Sequence, residues 1–132
     1  MRKSVRTISI CTATVLALSQ AVAQIKSPQC PIAGRYSVEG YGPGGASPYR
    51  GEAVISAKGT GCHMRWSPPN DSEGTGDYTG NILTIYFTFP NGNGGVVKYT
   101  RSASGEMNGT WWMDIAPANK GTEKLTPILV TY

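Results

Sequence analysis

The sequence predicts an all-β protein: an eight-stranded antiparallel up-and-down meander closed into a small barrel, preceded by a removable targeting helix. Three observations point there. All 17 glycines lie from Gly34 onward and punctuate short segments rich in Tyr, Val, Ile, Thr and Trp, the pattern of turns between strands. No window in that region sustains a helical apolar period. The candidate strands follow one another through short connections with turn chemistry, which implies consecutive hairpins. A meander of that many strands loses its exposed edges most simply by closing on itself.

Residues 1–23 read as a secretory signal peptide. Arg2, Lys3 and Arg6 precede the mostly apolar stretch from Ile8 to Leu18, and Ala21-Val22-Ala23 supplies the small-residue cleavage site. The apolar run is shorter than the roughly 20 residues a bilayer helix requires, and no later segment is long and apolar enough to span as a helix. Residues 24–33 then form an N-terminal arm, and 34–132 the barrel domain.

Removing that segment changes the charge. The full chain has 12 basic and 8 acidic residues. Three of the basic residues leave with the signal, so the mature 109 residues carry a net charge near +1. A near-neutral surface gives no electrostatic reason to expect nucleic acid or an anionic membrane as partner. Cys11 is lost too, and the remaining pair, Cys30 and Cys62, reads as one disulfide in an exported protein. The expected compartment is the periplasm or the extracellular space.

Each strand has its own signature. In the first, Gly34 to Tyr41, Tyr36 and Val38 share a face. In the second, Tyr49 to Lys58, Ala53 and Ile55 do so. The third, Cys62 to Ser67, places Cys62, Met64 and Trp66 opposite His63 and Arg65. The fourth, Gly74 to Gly80, is the weakest, with Tyr78 its one large apolar side chain. The fifth, Ile82 to Phe89, alternates most cleanly. Val96 to Ser102, Glu106 to Ile115 and Thr122 to Val130 complete the set, Pro127 weakening the last. The inward list is Tyr36, Ile55, Met64, Trp66, Leu83, Ile85, Phe87, Val97, Tyr99, Met107, Trp111 and Leu125. These are bulky, so the expectation is a filled interior rather than a deep cavity. Gly109 shares the inward face with Trp111 and leaves room there for a large ring. Glu123 and Arg101 both fall on inward-facing positions, which predicts a charge pair near one barrel end.

Catalytic chemistry finds little support. His63 is the one histidine, it sits on the polar face of a strand beside Cys62, and a serine-type triad needs a histidine base. Gly42-Pro43-Gly44-Gly45 lacks the lysine and following helix of a phosphate cradle. Asp71, Glu73 and Asp77 do not have EF-hand spacing and read as a solvated turn, so no metal is expected. Glu39 and Glu52 read as surface charges. An enzyme would require Glu39, Glu123 or Asp77 to converge in a cleft. No cofactor motif is present.

Aromatic residues are the main binding signal. Trp111 and Trp112 are adjacent in one strand, so one faces inward and the other outward, with Tyr86 and Val96 on the same outer face nearby. The Gly40–Tyr49 connection resembles a mouth loop bounded by Tyr41 and Tyr49. The candidate ligand- or partner-binding residues are therefore Tyr41, Tyr49, Tyr86 and Trp112.

The runs Gly34-Arg35-Tyr36-Ser37-Val38-Glu39-Gly40, Tyr49-Arg50-Gly51-Glu52-Ala53-Val54-Ile55, Val96-Val97-Lys98-Tyr99 and Gly105-Glu106-Met107-Asn108-Gly109-Thr110-Trp111, with Trp66, Gly74-Thr75-Gly76, Asn81-Ile82-Leu83 and Gly121-Thr122-Glu123, resemble small exported bacterial proteins often labelled fibronectin-binding. The resemblance covers nearly the whole mature chain and implies a shared fold; the label itself would imply adhesion to a matrix protein. In architecture the chain also resembles avidin-like and lipocalin-like barrels, with Gly34-x-Tyr36 where lipocalins carry Gly-x-Trp. The expected function is a non-enzymatic exported binding protein that contacts a protein or small molecule through loop and outer-face aromatics. The alternative is an inhibitor of a secreted hydrolase acting through an inserting loop or the arm Gln24 to Pro31.

Overall fold

A computed structural model describes residues 28–129, and the segment 1–23 read above as a signal peptide lies outside the described residues. Eight strands form one closed antiparallel barrel in sequence order: β1 (Gly34–Tyr41), β2 (Tyr49–Lys58), β3 (Gly61–Trp66), β4 (Ser72–Thr79), β5 (Ile82–Thr88), β6 (Gly94–Arg101), β7 (Met107–Met113) and β8 (Gly121–Pro127). Closure is made by β1 pairing with β8, Val38 standing opposite Leu125. The sheet therefore has no free edge to template aggregation. β4 pairs with β3 over Ser72–Gly76 and with β5 over Glu73–Thr79 in spite of its poor alternation. β8 stops at Pro127, short of the expected end at Val130, which lies outside the described residues. No helix among the described residues is long and apolar enough to cross a membrane.

The inward list holds: Ile55, Met64, Leu83, Ile85, Val97, Tyr99, Met107 and Leu125 are essentially inaccessible, and Tyr36, Trp66 and Phe87 are buried. What differs is the distribution along the barrel axis. The end that carries the β2–β3, β4–β5 and β6–β7 turns is also where β1 begins, and the N-terminal arm that leads into β1 has Cys30, Ile32 and Ala33 buried in the core. The Tyr36 hydroxyl donates to the Ile32 carbonyl at 2.6 Å, which fixes the arm across that end. Cys30 is bonded to Cys62, with Cα atoms 5.4 Å apart. The bond thus fastens the plug to the first residues of β3, and the arm's last residues belong to the barrel rather than projecting from it.

The opposite end is open. Here the β1–β2 loop, with a single 3-10 turn at Pro43–Gly45, leans over the lumen beside the β3–β4 connection through Pro68 and Pro69. A cavity of about 470 Å³ opens between them. A filled interior is therefore right for one half of the barrel only. The reason is that bulk on the strand-by-strand list does not report height: the large aliphatic side chains gather at the plugged end.

Because the Cys30–Cys62 bond closes a loop of 32 residues in sequence, chain-entropy arguments assign it about 3–4 kcal/mol. Replacing both cysteines by serine should lower the unfolding free energy by about that amount in a denaturant titration. A loss below about 1 kcal/mol would show that the plug holds without its bond.

Candidate functional site

The site is written into one cross-strand row. Tyr49 on β2 stands opposite Gly40 on β1, Gly40 opposite Glu123 on β8, Glu123 opposite Gly109 on β7, and Gly109 opposite Tyr99 on β6. The order across five strands is Tyr, Gly, Glu, Gly, Tyr, all pointing inward. With no side chain on either flank, both phenol rings can lie down across the glycines and reach the carboxyl. A Cβ on Gly40 would come within 2.2 Å of the Tyr49 ring, and one on Gly109 within 2.5 Å of the Tyr99 ring. Glycine at these positions is required by close approach rather than by turn conformation.

Glu123 is the one buried charged residue of the described chain, 7% exposed. Its Oε1 accepts a hydrogen bond from the Tyr49 hydroxyl at 2.7 Å, and its Oε2 accepts from the Trp66 indole at 2.9 Å and from the Tyr99 hydroxyl. Trp66 reaches it from β3, across the lumen. Among the described residues no lysine or arginine makes an ion pair with it. Loss of hydration is the largest influence and pushes the Glu123 carboxyl above its ordinary range, while the bonds from Tyr99, Trp66 and Tyr49 pull in the opposite direction. Both phenols are held protonated, first by burial and then by the neighbouring carboxylate.

Two more inward glycines seat rings in the same way. Gly121 lies beneath Trp111, where a Cβ would meet the indole at 2.3 Å, and Gly95 lies beneath Phe87, where the distance would be 2.7 Å. These pairs are directly opposite in register. Small residues thus line the wall of the open half, and the rings they seat form the cavity lining with Trp66, Phe89 and Tyr49. Trp66 meets Phe87 edge to face at 5.7 Å, and Phe87 meets Phe89 likewise at 5.7 Å. Among the described residues the buried Trp111 Nε1–H has no hydrogen-bond partner, although it is placed to favour the ionised form of the Tyr49 hydroxyl.

The expected charge pair does not form. Arg101 is exposed at the plugged end, where its charge acts on Tyr36 rather than Glu123. Parity along a strand fixes the face but not the height, and the two residues stand at different levels. The room at Gly109 serves Tyr99, not Trp111, because a ring covers the glycine opposite it on the next strand and not one two residues along its own. Asp77 and Glu39 are exposed, so they do not converge with Glu123. Glu52 is also exposed and pairs with Arg35 at 2.7 Å. His63 bonds Glu73 at 3.0 Å on the outer surface. Among the described residues no group of three His, Cys, Asp or Glu side chains could hold a metal ion.

Of the expected binding residues, Tyr49 alone lies in the cavity. Tyr41 is 48% exposed on the outside of β1. Tyr86, 63% exposed, stands opposite Val96 and Val96 opposite Trp112, giving an outer row across β5, β6 and β7. Lys120 Nζ sits 4.4 Å from the Trp112 ring centroid. The structure thus separates the four residues into one cavity residue and an outer surface. Sequence reasoning placed Trp66, Phe87, Tyr99, Trp111 and Glu123 inside but did not group them as a site. The available signal was the run of inward glycines at the open end.

Comparison of the chain with protein-family models, curated proteins and solved structures gives no match in any of the three. The functional reading therefore rests on the chemistry of the site itself.

Two outcomes test this geometry. Because Glu123 keeps its proton in the folded state above its ordinary value of 4.5, the native state binds more protons than the unfolded one across that window. Stability should fall as pH rises through it, and Glu123→Gln should flatten the slope in pH-resolved unfolding. Tyr99→Phe removes a donor from a buried acceptor and should cost about 1–3 kcal/mol at neutral pH. A stability unchanged by that substitution would contradict the row.

Proposed function

We propose that this chain is an exported, non-enzymatic binding protein that takes a small ligand into the open half of its barrel. The observation that carries the reading is a cavity of about 470 Å³, walled by Tyr49, Trp66, Phe87, Phe89 and Trp111, with one hydrogen-bonded carboxyl, Glu123, in its lining. The volume falls within the range of small-molecule sites, and a mostly aromatic wall with a few convergent polar groups is their usual composition. An eight-stranded barrel has room for one such ligand. The disulfide is compatible with a periplasmic or extracellular location.

A lone carboxyl is a poor basis for hydrolysis, where a second carboxylate or a base would have to share the work. Glu123 is instead bonded on both oxygens, an arrangement suited to holding and orienting. The exposed row of Tyr86, Val96 and Trp112 favours a second reading, a protein contact on the outside of the barrel. That is the surface on which an adhesive role of the kind implied by the fibronectin-binding label would fall.

A neutral fluorescent probe, N-phenylnaphthylamine, separates the two. Its emission should rise and shift to the blue on addition of the protein. Ser72→Trp, which fills the cavity mouth from β4, should abolish the change, and Tyr86→Ala with Trp112→Ala should leave it intact. Loss of the signal with the outer-face variant and its survival in Ser72→Trp would overturn the cavity reading in favour of the surface one.

A further inference from the structure

The aromatic wall and its single acidic group also constrain the charge of what can enter. Among the residues that line the cavity, Glu123 is the one that can carry a charge, and no lysine, arginine or histidine faces the lumen with it. Around the carboxyl, β2 contributes Tyr49 and β6 Tyr99, β3 contributes the non-titrating Trp66, and β1 and β7 contribute Gly40 and Gly109. Every one of those polar groups is a neutral donor. Buried charges in proteins are ordinarily paired with an opposite charge, and here the protein supplies hydrogen bonds but no cation.

The geometry leaves a place for one. A carboxylate has about four lone-pair positions, and three are taken: two on Oε2, by Trp66 and Tyr99, and one on Oε1, by Tyr49. The remaining position is on Oε1. The surrounding walls are the rings of Tyr49, Trp66, Phe87, Phe89 and Trp111, whose faces carry negative potential and attract ammonium groups. An anionic ligand would meet a negative field with no compensating base. A neutral one would leave the carboxyl without a counter-charge.

Resting on the small-ligand reading above, we infer that the cavity selects an organic cation, an amine or quaternary ammonium with an apolar body, whose charged head sits at Glu123 Oε1 while its apolar part lies among the rings. The ligand completes the charge pair that the fold leaves half built. Since the carboxyl must be ionised to do so, entry of the cation displaces the Glu123 proton, and affinity rises with pH until that proton is gone.

The test uses three ligands of nearly one shape: naphthylmethylammonium, naphthalenemethanol and naphthoate, each competing against bound N-phenylnaphthylamine at about pH 8, where the amine is still largely charged. The ammonium should compete about tenfold or more better than the alcohol, with the carboxylate weaker still. Glu123→Gln, which keeps size and an acceptor oxygen, should bring ammonium and alcohol to within about twofold of each other. Should that variant fail to fold, the order of the three competitors on the unaltered protein decides by itself. An alcohol that competes as well as the ammonium, or a carboxylate that competes best, overturns the cation inference and leaves the cavity reading standing. A protein that never takes up the dye overturns the cavity reading beneath it.

Discussion

The open half of the barrel depends on the carboxyl of Glu123 and the way three strands hold it. Burying a carboxyl is costly unless its oxygens are bonded, and the fold meets that cost with donors from β2, β3 and β6. Those donors come from residues 24 to 74 positions away in sequence. Their convergence is possible only once the sheet has closed and its register is set. Closure between β1 and β8 places Gly40 beside Glu123, and without that contact Tyr49 has no route to the carboxyl.

Glycine does two things in this arrangement. Gly40 and Gly109 let the two phenols lie flat and point at one acceptor, while Gly95 and Gly121 seat Phe87 and Trp111 against the wall. Removing side chains from inward positions at one end also withholds the bulk that would otherwise fill it. The other end has the opposite composition: Met64, Met107, Leu83 and Leu125 fill the lumen, and the disulfide-tied arm covers them. One barrel is thereby divided into a densely filled half and a half whose polar network lines a cavity. The same division explains why a buried acid is tolerated: the well-packed end provides the free energy against which its burial counts.

Much of this was legible in the sequence. Alternation in the segment from Leu83 to Phe87 and in those around it sorts inner from outer faces, and the surviving cysteine pair identifies the bond. Two features were not. Height along the barrel axis is invisible to a period of two, so Arg101 and Glu123 shared a face on paper yet stand at different levels. Cross-strand register between distant segments is equally hidden, so Gly109 was read against its own strand's Trp111 when its ring comes from Tyr99 on the next. Tyr41 and Tyr49 looked equivalent as the ends of one loop, but only Tyr49 faces a glycine across which it can turn inward.

Glu123 is a buried acid with no cationic partner among the described residues, in the lining of a cavity that opens at one end of the barrel. Carbon-13 NMR of the glutamate side-chain carboxyls, titrated with and without naphthylmethylammonium, reads this directly. One carboxyl, assigned by its absence in Glu123→Gln, should release its proton at higher pH than the exposed glutamates, and its midpoint should drop when the ammonium is bound. A Glu123 signal that titrates with the exposed glutamates and does not respond to the ammonium would contradict the account.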